Sequence, residues 1–272
     1  MKFVFLLLAT GSLGHASMTP LDLGATDGAL DPAKFTALSG AKPPPPDRNF
    51  AEIRDGVLRV TFTEGKKVTG TGLSLHVPVE PRETCDLSFR IRYPDDFAAG
   101  LHGKQLGLSG GKGYDGGRGE EARFNGDGWS VRLQFDAQED GIRNSLYVYQ
   151  QAMDGKYGNG LGAGSFLLGR GTWHNLRLRV TMQSAPEAAD GCIEVWCDGE
   201  KKIGKDGVRL VREEVGRRVD RVRLEIFPGG GGNFPARDHV VELADIAWGE
   251  GDPEEAGRGW WRWTRELLGL RP

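Results

Sequence analysis

Five side chains in three short segments have the types and spacings that acid/base chemistry around a cation requires. They are Lys104 in GLHGKQLG, Ser130 and Arg132 in GWSVRLQF, and Tyr147 and Tyr149 in SLYVYQQ. In an extended strand, residues two apart share a face, about 6.5–7 Å from each other. Trp129, Val131, Leu133 and Phe135 therefore take one side of the middle segment, and Ser130, Arg132 and Gln134 the other. In the third segment Leu146 and Val148 oppose Tyr147 and Tyr149. A hydroxyl, a guanidinium and two phenols then line the polar side of a sheet whose other side is core. That set suits an anionic substrate.

An acidic polysaccharide is one such substrate. A uronate chain is cleaved by β-elimination when a base removes the C5 proton, α to the carboxylate, and the C4 oxygen departs. The proton is weakly acidic until the carboxylate is neutralised, and Arg132 or Lys104 can supply that charge. A tyrosine can be the base, although its free pKa of about 10 leaves it protonated at neutral pH. Neighbouring cations favour the phenolate and lower that value. The other tyrosine, or the same one after abstraction, returns a proton to the leaving oxygen. Ser130 would position substrate, and His102, Gln134 and Gln151 are further substrate-binding candidates. The scheme needs no metal and no cofactor. The competing reading is structural: tyrosines are good strand residues, and an exposed pair often serves cross-strand packing.

The elements that must position these groups are strands. The 272-residue chain holds 42 glycines, and its short alternating runs are separated by Gly, Asp and Asn clusters, which indicates an all-β sandwich. Candidate strands are 57–63, 72–79, 84–93, 101–108, 128–136, 143–151, 172–183, 191–199, 220–227 and 238–248. The glycine-rich stretch 109–127 is either a lid or a surface loop. Residues 17–48 end in four prolines and read as a lead-in and linker to a body at 49–250. In the tail 251–272, Trp260, Trp263, Leu267 and Leu270 share one face of a short C-terminal helix that would dock on the domain.

A net charge of −3 gives no global field for nucleic acid. Residues 1–16 read as a cleaved signal peptide, too short in its apolar run for stable membrane insertion, so the expected location is secreted or periplasmic. Cys192 and Cys197 are five apart, on opposite faces of one strand, and with Cys85 are expected to be buried structural thiols. No CxxC or HxxxH spacing supports zinc. His174 would fix a strand start. Three strands carry Arg-x-Arg: Arg90 and Arg92, Arg177 and Arg179, Arg221 and Arg223. The pattern predicts a solvated outer sheet face for most of these pairs, with a basic groove for a polyanion as the other reading.

The order GLHGKQLG, W-S-V-R, Y-V-Y, GTWH and the late FPGGGGNFPARDHVVELADIAW resembles polysaccharide lyase family 14, which contains alginate and glucuronate lyases. That family has a G-K-L-P-G-L type segment, an S-x-R strand and a Y-x-Y strand in this order. The resemblance runs from about residue 85 to 248. It implies a concanavalin-like β-jelly roll, and it places the family's functional lysine on Lys104, its Ser-x-Arg pair on Ser130 and Arg132, and its tyrosines on Tyr147 and Tyr149. The implied partner is an acidic polysaccharide, without choosing among mannuronate, guluronate and glucuronate. The chain departs from the pattern where Gln105-Leu106 replaces Leu-Pro after the lysine, and where 138–143 and the glycine-rich loop reshape the groove.

Two other classes fit a sandwich. A secreted binding module for acidic glycans needs only the cations and aromatics. A glycoside hydrolase needs two carboxylates about 5–9.5 Å apart, and Glu194, Glu225 and Glu242 form no close sequence cluster. The oligomeric state is not encoded in any feature above.

Overall fold

The computed structural model describes residues 18–21, 27–30, 33, 36 and 49–251. In chain order its strands are β1 (Met18–Pro20), β2 (Gly28–Ala29), β3 (Ala51–Arg54), β4 (Val57–Phe62), β5 (Leu73–Arg82), β6 (Thr84–Arg92) and β7 (His102–Gly111). A short helix, α1 (Gly119–Asn125), precedes β8 (Gly128–Gln138), β9 (Gly141–Tyr149), β10 (Ser165–Leu168), β11 (His174–Thr181) and β12 (Gly191–Cys197). β13 (Glu200–Val208), β14 (Val219–Pro228) and β15 (His239–Gly249) follow.

These strands form a jelly-roll sandwich of two antiparallel sheets. The six-stranded sheet runs β10-β9-β8-β7-β14-β5; the nine-stranded sheet runs β13-β12-β11-β6-β15-β4-β3-β2, with β1 also paired to β15. Period-two alternation explains the core directly. Val131, Leu133 and Phe135 of β8, Leu146 and Val148 of β9, and Val222, Leu224 and Ile226 of β14 all point inward, meeting Leu87, Phe89 and Ile91 of β6. Phe62, Tyr93, Phe97 and Phe135 form an aromatic knot with ring centroids 4.8 to 5.9 Å apart. Trp129 is fully buried, as its side of β8 requires, and its indole N–H donates to the Gly216 carbonyl at 2.9 Å.

Several elements were not visible as patterns. The segment read as a lead-in contributes β1 and β2, and places Leu21 and Leu30 in the core. β10 and β13 are sheet edges; β13 (EKKIGKDGV) is lysine-rich, which weakens its alternation while discouraging edge-to-edge pairing. Within the glycine-rich stretch, Glu120 and Glu121 in the first turn and a left-handed Gly126 (φ 67°) bound the roughly two turns of α1. The three cysteines are free, and Cys192 and Cys197 do face opposite ways. His174 starts β11, accepting the Gly169 N–H at Nε2 and bonding Asp198 through Nδ1. The leader at 1–16, the prolines at 43–46 and the C-terminal helix fall outside the described residues.

Candidate functional site

Register brings the singled-out residues together on the face of the six-stranded sheet away from the core. Arg132 lies opposite Tyr147, Ser130 opposite Tyr149, and Gln134 opposite Ser145. On the other side of β8, Lys104 of β7 lies opposite Gln134 and Gly107 opposite Arg132. Between those two pairs β7 carries one residue more than β8: Gln105 and Leu106 face Leu133. Both of the extra pair turn into the core, where the Gln105 amide donates to the Tyr93 hydroxyl and to Asn144, each at 2.6 Å. The departure from Leu-Pro is therefore the position of a bulge.

Around Lys104 the groups are close. Its ammonium nitrogen is 3.1 Å from Gln134 Oε1 and 3.4 Å from the centre of the Tyr147 ring. The Tyr147 and Tyr149 rings meet edge to face at 5.7 Å, and the Arg132 guanidinium lies 5.3 and 5.8 Å from them. Gln134 in turn donates to Ser145 at 2.9 Å. Burial, and then the charge of Arg132, push the Lys104 pKa down to about 7, with Glu225 opposing. Burial and the hydroxyl of Tyr149 push the Tyr147 phenol up, against the opposing pull of Arg132 and the Gly158 backbone.

Arg132 itself is nearly enclosed, 3% exposed, and reaches across β7 to Glu225 of β14 at 2.9 Å. Gly107 makes that crossing possible: a Cβ there would stand 2.7 Å from Arg132 Cα and Cγ and 2.2 Å from the Val131 carbonyl oxygen. The expectation that Arg132 meets the substrate carboxylate is thus revised, because its guanidinium is held beneath the tyrosines by Glu225. The Glu225 carboxylate also receives Arg223 Nε at 3.2 Å and Nη2 at 3.1 Å, His76 Nε2 at 2.9 Å and the Ser74 hydroxyl at 3.3 Å. Burial alone would raise its pKa; Arg223, Arg132 and His76 outweigh that and hold it well below the usual carboxylate range.

Arg223 was expected on a solvated face and is instead fully buried. What covers it is the segment between β7 and α1: Arg223 donates to the Gly113 carbonyl at 2.9 Å and pairs with Asp115. The same segment takes the Ser130 hydroxyl, which donates to the Tyr114 carbonyl at 2.6 Å, and the Gly117 N–H donates to the Tyr149 hydroxyl at 2.9 Å. Ser130 is thereby committed to holding this loop over the sheet, and the loop forms a fixed wall. Glu225 and Arg223 are the residues the sequence reasoning missed. Their signal was present as Arg-x-Arg-x-Glu on one strand face, but nothing in the strand itself announces a covering loop.

Of the remaining candidates, His102 shares the face of Lys104, and its pKa is lowered by burial and by that lysine. Gln134 is in the centre of the cluster. Gln151 is buried beyond the end of β9, its backbone N–H tied to the Leu210 carbonyl at 3.0 Å. Among the described residues two donor groups could approach a metal geometrically: His76, Asp115 and Glu225, and His174, Cys197 and Asp198, each with ligand atoms within 4.8 Å of one another. The first already answers two guanidiniums, which repel a cation. In the second, a metal on His174 Nδ1 would leave a protonated Nε2 facing the Gly169 N–H.

The arrangement offers a lysine of lowered pKa beside a tyrosine of raised pKa, on the face of a jelly roll. Comparison with known proteins bears on the fold. The alginate lyase Aly36B, as a double mutant in complex with alginate tetrasaccharide, is similar with a TM-score of 0.74 at 18% identity, over 87% of this chain and 97% of its own. Alginate lyase vAL-1 from Chlorella virus gives 0.60 at 17% identity, over 73% and 87%. The marine PL-14 alginate lyase from Aplysia kurodai gives 0.56 at 19%, over 72% and 83%. At these identities the likeness is one of fold. No curated protein matches the chain in sequence. The family model of polysaccharide lyase 14, however, matches residues 52–239, well over half of the chain, and the chain belongs to that family.

Proposed function

We propose that this lyase cleaves a uronate-containing polysaccharide, alginate or polyglucuronate, by β-elimination, with Lys104 and Tyr147 as its proton carriers. The observation that carries the reading is the placement of the Lys104 amine 3.4 Å from the centre of the Tyr147 ring, where the surroundings lower the lysine to about 7 and raise the tyrosine. Environments that push adjacent groups apart mark a base and an acid. The neutral Lys104 amine takes the C5 proton. The electron pair forms the C4–C5 double bond, the C4–oxygen bond breaks, and Tyr147, held protonated, returns a proton to the departing oxygen. Arg132, fixed by Glu225, supplies positive charge beneath the ring pair, and Gln134 and His102 border the carboxylate. Tyr149, whose hydroxyl is bound by the Gly117 N–H, fixes the position of Tyr147.

A leader at 1–16 fits this role, since so large a polymer is met outside the cell. The test is ultraviolet absorbance of the unsaturated C4–C5 product with alginate, polyglucuronate and other uronate polymers. A rise that vanishes in Tyr147→Phe and Lys104→Ala establishes elimination and names the substrate. Binding of polymer with no rise would instead favour a glycan-binding module.

A further inference from the structure

Beyond Lys104 the active face continues onto an aromatic ring that carries a cation. Phe234, in the β14–β15 connection, is 58% exposed. Lys67, from the β4–β5 connection, places its ammonium 4.2 Å from the centre of that ring and donates to the Gly232 carbonyl. Among the described residues Lys67 meets no carboxylate within ion-pair distance. Both partners are held by backbone. Val68 N–H donates to the Pro228 carbonyl at 2.9 Å, Gly65 N–H to Pro235 at 2.8 Å, and Asn233 N–H to Gly100 at 2.7 Å.

The pair is continuous with the cluster already described. Gly229 N–H donates to the His102 carbonyl at 2.8 Å. Gly230 and Gly232 lie so close to His102 that a Cβ on them would stand 3.0 Å from its ring and 2.4 Å from its own Cβ. The Lys67 charge reaches His102, as does that of Lys104. Phe234, Lys67, His102, Lys104 and Tyr147 therefore form one succession of rings and cations. The glycines keep the floor between them free of side chains.

We propose that Phe234 and Lys67 form an outer subsite for a further uronate unit of the polysaccharide. The negative π face of the ring receives the sugar's C–H hydrogens, and the ammonium pairs with the carboxylate. A neutral sugar would use only half of this arrangement. The inference rests on the lyase reading above and extends it to polymer recognition.

The experiment uses the full chain with Tyr147→Phe, so that ligand is not consumed, titrated calorimetrically with uronate oligomers from disaccharides upward. Lys67→Met, which keeps most of the stem, and Phe234→Ala are each compared with that parent, with Phe234→Leu as a second variant and thermal melts as the check of folding. The expected result is an affinity loss of about tenfold for long oligomers in each variant. The loss should vanish for oligomers too short to extend past His102. Unchanged affinity at every length overturns the subsite. Loss in Phe234→Ala alone overturns its selectivity for acidic sugars. If the wild-type chain generates unsaturated product while these variants bind as the parent does, the subsite fails and the lyase reading stands. If no uronate polymer is bound or cleaved, both fail.

Discussion

Two strand faces of this molecule carry the same written pattern and end in opposite environments. Arg90 and Arg92 of β6 alternate with Phe89 and Ile91, as Arg221 and Arg223 of β14 alternate with Val222 and Leu224. On β6 the side chains are 36% and 38% exposed, pair with Asp245 and Glu242, and lie 4.8 and 5.0 Å from the Trp173 ring. On β14 Arg223 is sealed under the glycine-rich loop with Glu225 and Asp115. Water screens the first set, so each pair contributes little. The second is removed from water, so its charges persist as a strong local field and any unmatched member is costly. Alternation decides which side of a sheet a residue takes. The loops decide what that side becomes.

The contrast can be broken in order of expected effect. Tyr147→Phe should lower kcat/KM by roughly 100- to 10,000-fold, as for other lost proton donors, with an unchanged melting temperature. Retained turnover would remove the acid assignment from Tyr147. Arg223→Ala should cost about 3–5 kcal/mol in denaturant unfolding, since it leaves Glu225 and Asp115 short of a partner. Arg90→Ala, by comparison, should cost no more than about 1 kcal/mol. Equal costs would mean that burial does not separate the two faces. Gly107→Ala should cost about 1–3 kcal/mol, because its methyl meets the Val131 carbonyl oxygen and Arg132 Cα and must push β8, with Arg132, aside. Its signature is weaker turnover together with weaker folding.

The smallest effect sharpens the picture by pH. If neutral Lys104 is the base, kcat/KM should rise with pH through about 7. Glu225 favours the ammonium, so Glu225→Gln should move that rise to lower pH. A shift to higher pH, or none, would place the titrating group elsewhere.

The sandwich and ten of its strands could be read from alternation because inward-facing apolar residues repeat at period two. The elements that escaped notice have physical reasons. β1 and β2 are three and two residues long, too short to show a period. The edge strand β13 exposes most of its side chains. The five proposed site residues do converge, since β8 and β9 pair in register and both obey alternation. Two of them, Ser130 and Arg132, are bound to the loop wall 16 residues earlier and to Glu225 93 residues later, partners about which the spacing of one strand carries no information. Lys104 joins the set by residue type, with no face assigned by the alternation of β8 or β9. By parity with Leu106 and Leu108, both buried, it would have pointed into the core.

The extra residue also bears on how the site tolerates a change of length. Between Lys104 and Gly107, β7 contains one surplus residue, Gln105 with Leu106 facing Leu133. Deleting Gln105 would restore strict alternation with Lys104 still opposite Gln134 on the open face, and would remove the buried amide that donates to Tyr93 and Asn144. A single-codon deletion there would loosen the packing beneath the site while the lysine keeps its side. Among descendants of this fold, the segment between the lysine and Gly107 can therefore lose its surplus residue and still present the amine to a ligand.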